Sequence, residues 1–72
     1  MTKEELEAIL IERGIPSYAY SLKGGLPNDS MVLNQKGLNC WEVYYSERGG
    51  KSILETFKTE SEACQCLLYR MS

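Results

Sequence analysis

Apolar positions recur at helical spacing at both ends of this chain and at strand spacing between them. At the start, Leu6, Ile9 and Leu10 share a face with Arg13, Thr2 and Glu5 make a capping box, and Gly14 followed by Pro16 ends the segment, so a helix is expected over 2–13. At the far end Thr59 and Glu62 repeat the box. Ala63, Cys66, Leu67, Arg70 and Met71, widened by Cys64 and Leu68, then line a second helix over 60–71. Between the helices the period falls to two. In 17–22 Tyr18, Tyr20 and Leu22 alternate with Ser17, Ala19 and Ser21; a strand follows from Met31, with Met31 and Leu33 inward and a turn near Lys36-Gly37. A third spans Cys40 to Ser46 and a fourth 51–57. GGLPND, Gly24 to Asp29, reads as a loop, and Glu47-Arg48-Gly49-Gly50 as a turn whose two glycines are free to take positive φ.

This order predicts an α+β fold over one domain, 1–72: a four-stranded antiparallel meander with the N-terminal and C-terminal helices packed on one face, α-β-β-β-β-α. The fourth strand conflicts with itself, because Ile53, Glu55 and Phe57 share a parity while Leu54 falls opposite. A bulge near Leu54, or an edge position with both faces partly exposed, would resolve it. On the third strand Trp41, Val43 and Tyr45 are expected to face the helices. Glu42 and Tyr44 then point to the other side, which a sheet covered on one face leaves open to solvent.

Composition narrows the function. Seventy-two residues, 43% of them hydrophobic, suffice for one core but leave little for a deep polar cleft, so a functional site is expected on the surface. No run of 18 apolar residues is present and MTKEELEAIL opens with charges, which predicts no membrane span, no secretion signal and a cytoplasmic protein. The cysteines number three, an odd count, and the tightly spaced Cys64-Gln65-Cys66 pair reads as buried thiols on a helix. Ten acids against eight bases give a net charge of −2, and the five lysines are scattered, which argues against direct nucleic-acid binding.

The catalytic repertoire is thin. There is no histidine to shuttle protons, bind metal or activate a nucleophile. Glu42 and Glu55 on neighbouring strands could form a carboxylate pair, but such a pair needs a cleft. GGLP lacks the Gly-Lys-Ser/Thr of a phosphate cradle, and three cysteines without histidine do not complete a zinc site. The chain is therefore read as no enzyme, with no cofactor and no metal. What remains is recognition: the candidate partner-binding residues are Glu42, Tyr44, Glu47, Arg48 and Glu55, an acidic, tyrosine-bearing surface suited to a basic protein partner.

Three strings carry a resemblance. YSLKGGLPND, WEVYYSERGGK and KTESEAC, spread from about Tyr18 to Leu68, are similar to segments of small immunity proteins of bacterial polymorphic-toxin and contact-dependent growth inhibition systems. That resemblance implies a non-catalytic cytoplasmic protein that binds a cognate toxin domain, many of which are nucleases with basic surfaces, and blocks it; it transfers no individual contact residue. Two readings of other classes stand beside it. One is a nucleic-acid-binding or regulatory accessory module that reads single strands on sheet tyrosines. The other is a protein that self-associates through the edge strand at 51–57.

Overall fold

The computed structural model describes residues 1–48 and 50–71. Helix α1 (Lys3–Glu12) is followed by a 3-10 turn at Ser17–Ala19, strands β1 (Tyr20–Ser21), β2 (Ser30–Gly37), β3 (Cys40–Glu47) and β4 (Gly50–Phe57), and helix α2 (Glu60–Arg70). The fold is α+β in the expected α-β-β-β-β-α order, and the strands lie side by side in chain order.

Both helices start where their capping residues lie. The Thr2 hydroxyl accepts from the Glu5 N–H at 3.2 Å, and the Glu5 carboxylate accepts from the Thr2 N–H at 2.9 Å. The Thr2 N–H, and after it the Thr2 hydroxyl beside the carboxylate, hold the Glu5 carboxyl below its ordinary value. Gly14, at φ 75°, reverses the chain after α1, so that its own N–H and that of Ile15 reach the carbonyls of Ile11 and Leu10, each at 3.0 Å. In α2 the Thr59 hydroxyl accepts from the Glu62 N–H at 3.2 Å. The two helices begin at one corner: the Lys3 N–H donates to the Glu60 carboxylate at 2.9 Å and the Met1 amino group to the Ser61 hydroxyl at 3.2 Å.

Leu6 and Leu10 of α1 and Ala63, Cys64 and Leu67 of α2 meet Leu33, Trp41, Val43 and Tyr20 in one core. Both helices therefore share one side of the sheet with Trp41 and Val43, as their parity predicts. Arg13, expected on the apolar face of α1, is exposed. Tyr45 follows the same parity but lies beyond the helices at the rim.

Two expectations are corrected. The segment 17–22 is not a six-residue strand: after Pro16 the chain takes a 3-10 turn that leaves Tyr18 81% exposed, and only Tyr20–Ser21 pairs. That pairing is parallel, Tyr20 to Met31 and Ser21 to Val32, whereas β2–β3 and β3–β4 are antiparallel, so the sheet is mixed and no pure meander. Parallel neighbours cannot be joined by a tight hairpin; the connection must return across a face of the sheet. Leu22 still packs on the helix side, and the return is made from Gly24 onward, where Gly24 meets Asn34 and Gly25 meets Tyr44 on the side away from the helices.

The conflict in β4 has both of its proposed resolutions. β4 is the edge strand and is exposed from Gly50 to Thr56. Val43 pairs with Glu55 but Tyr45 with Ser52, so Ile53 and Leu54 together oppose Tyr44 in a bulge. In the turn before β4 a positive φ, 51°, falls on Arg48; the one expected at Gly49 lies outside the described residues.

Candidate functional site

The side of the sheet away from the helices is built from Ser30, Val32 and Asn34 of β2 opposite Ser46, Tyr44 and Glu42 of β3. It was expected to lie open. Instead Glu42 is 4% exposed and Tyr44 1%, and Val32, across from Tyr44, is fully buried. Two side chains reach the returning loop and hold it down. The Tyr44 hydroxyl donates to the Gly25 carbonyl at 2.6 Å, and the Ser30 hydroxyl lies 2.7 Å from the Tyr18 carbonyl and 3.1 Å from that of Asn28. Gly24 allows the close approach: it sits at φ 76°, and a Cβ there would meet Asn34 Oδ1 at 2.4 Å.

Glu42 is accommodated by its neighbours. Asn34 Nδ2 donates to Oε1 at 3.0 Å, and the ammonium groups of Lys36 and Lys51 each stand 3.8 Å from a carboxylate oxygen, one on either side. Lys51 also lies over the Tyr44 ring, 4.6 Å from its centroid. Burial, and then the nearby Glu42 charge, push the Tyr44 phenol above its ordinary value. A buried carboxylate with an amide donor and two counter-charges is an internal polar network. Glu42 and Tyr44 are thus removed from the exposed surface on which they were placed: Tyr44 is bonded to the crossover loop, and Glu42 is enclosed by Asn34, Lys36 and Lys51 of the neighbouring strands. The sheet tyrosine that a stacking platform would present on this face is covered with them.

The other three candidates separate. Glu55 faces the helix side, opposite Val43, where Arg70 of α2 bonds its carboxylate. It is on the other face from Glu42, so the two carboxylates form no pair. Glu47 and Arg48 are exposed at the end of the β3–β4 hairpin. There they line a shallow depression with Asn28 and Asp29, the end of the returning loop. The Tyr45 hydroxyl reaches Asp29 Oδ1 at 3.4 Å, and desolvation followed by the Asp29 and Glu47 charges raises the Tyr45 phenol above its usual value. An acid-tyrosine patch therefore exists, made by Asp29, Tyr45 and Glu47 with Arg48 at its edge.

Residue parity could not find this patch. Tyr45 carries the parity of the core, and Asp29 belongs to a loop whose course depends on the parallel β1–β2 pairing. The signal present in the sequence was Val32, an apolar residue on the side read as open.

The thiols lie elsewhere and are free. Burial, followed by the Glu60 charge, pushes Cys64 up to about 11, and burial raises Cys66 as well, which keeps both protonated and poorly nucleophilic. Among the described residues no group of three or more acids, cysteines or histidines is placed to hold a metal ion, and no helix is long and apolar enough to cross a membrane. Comparison of the chain with protein families, with curated proteins and with solved structures finds no match.

Proposed function

We propose that the protein is a binding protein of the immunity type, which neutralises a cognate toxin domain in the bacterial cytoplasm, and that the toxin is a nuclease with a basic surface. The observation that carries this reading is the exposed hairpin end, where Glu47 and Asp29 flank a half-buried tyrosine and Arg48 stands free of the sheet. Such a patch combines a rigid aromatic with negative charge, the chemistry that steers and anchors a cationic protein partner. The resemblance of the three strings to immunity proteins supports the same class. A tight complex needs ~800 Å² from each partner. Against an accessible surface of 4602 Å² that contact extends well beyond the patch, onto the flanking loop and hairpin.

The test is to read the adjoining upstream reading frame for a toxin-like C-terminal domain, whose absence counts against the reading, and to co-express the protein with that domain and titrate the purified pair by calorimetry. A one-to-one complex that protects the cells is expected. Tyr45→Ala with Glu47→Ala weakens it by about 2 kcal/mol or more. Absence of heat and of protection at micromolar concentrations, with the protein folded, overturns the reading.

A further inference from the structure

The bulge in β4 is held in a conformation that its residues do not favour. Ile53 sits at φ 56°, a left-handed backbone that a β-branched side chain resists. Its side chain gains little there, being 66% exposed. What holds it comes from the C-terminal helix: Arg70 Nη1 donates to the Ile53 carbonyl at 2.8 Å while Nη2 bonds the Glu55 carboxylate. One guanidinium thus grips the chain at the bulge and again two residues later.

Flattening the bulge gives a regular alternative. With Val43 still opposite Glu55, Tyr44 would meet Leu54, Tyr45 would meet Ile53, Ser46 would meet Ser52, and Glu47 would meet Lys51 in place of Gly50. The extra residue passes into the turn as Arg48-Gly49-Gly50, a length and composition common in hairpins. Ile53 becomes extended and its strain is relieved. A one-residue slip carries every side chain ahead of it to the opposite face. Lys51 therefore leaves Glu42 and the Tyr44 ring, where it now lies, and takes Glu47 as its new neighbour. It has an anionic partner in either register.

We infer that the β3–β4 hairpin is a two-register device in which Arg70 is the latch and Lys51 the group that moves. In the latched register Lys51 completes the buried network around Glu42; in the slipped register it neutralises Glu47 at the exposed end. Loss of the Arg70 contacts shifts the hairpin to the second state. This holds whether or not the hairpin end binds a toxin.

Isotope-labelled full-length protein tests it through cross-strand NOEs, which read register directly. Wild type gives Tyr45–Ser52 and Ser46–Lys51 contacts. In Arg70→Gln these fall at least about tenfold in population and Tyr45–Ile53 and Glu47–Lys51 contacts replace them. Adding Ile53→Gly, which removes the penalty of positive φ, restores the Tyr45–Ser52 register without the arginine. Persistence of the Tyr45–Ser52 register in folded Arg70→Gln overturns the inference. Should that variant not fold, relaxation dispersion on wild type and Arg70→Lys decides: exchange confined to residues 44–53 and larger in Arg70→Lys supports the device, and its absence in both refutes it.

Discussion

The two faces of this sheet are covered by different means. On one, two amphipathic helices bring Leu6, Leu10, Ala63, Cys64 and Leu67 against Leu33, Trp41 and Val43, and the contact is side chain on side chain. On the other, the returning loop accepts a hydrogen bond from Tyr44 through the Gly25 carbonyl while Asn34, Lys36 and Lys51 enclose Glu42, and the contacts are largely hydrogen bond and charge. The first kind of cover tolerates inexact placement, because dispersion and apolar burial are non-directional. The second does not, since each buried polar group that loses its partner becomes a penalty. The polar side should therefore be the more localised in its response to damage, and the apolar side the more global.

Substitutions can break that contrast. Leu67→Ala, at a fully buried position, should cost about 3 kcal/mol and lower protection against hydrogen exchange throughout the core. Glu42→Ala leaves Asn34 and two lysines facing an uncharged hole and should cost about 2 kcal/mol in urea unfolding. A smaller loss, about 1 kcal/mol, is expected for Tyr44→Phe, with faster exchange confined to residues 22–29. If Tyr44→Phe instead loosens α1 and α2 equally, the faces do not respond separately.

The smallest effect is one of pH. Because the Glu5 carboxyl is held below its ordinary value, its contribution is present in full above the unfolded-state value and is lost as pH falls through the lowered one. Glu5→Gln should accordingly be less stable than wild type near neutrality, and the gap should close as pH falls below the ordinary carboxylate range in matched urea titrations. A gap that does not change with pH would assign the Glu5 effect to something other than its charge.

Local rules carried the sequence reading as far as local chemistry decides the outcome. Thr2 with Glu5, Thr59 with Glu62 and Gly14 mark the helix boundaries because a cap is satisfied within a few residues of itself. The parity clash at Leu54 signalled the bulge for the same reason. The loop that meets Tyr44 was not legible, because its course depends on the direction in which two residues of β1 pair, a non-local choice. Reading GGLPND as a loop was right in kind but silent on where the loop goes. The site followed that uncertainty: Glu47 and Arg48 stayed at the surface since a hairpin end is exposed under either topology, while Tyr44 met the loop and Glu42 was enclosed by Asn34, Lys36 and Lys51.

The corner where α1 and α2 begin has a dynamic consequence. Glu60 accepts from the Lys3 amide and Ser61 from the terminal amine, so the first turn of each helix is part of the other's anchorage. Two such turns cannot fray independently. Their opening is one shared event, so the chain's earliest and latest helical segments should melt in concert despite being almost the whole sequence apart.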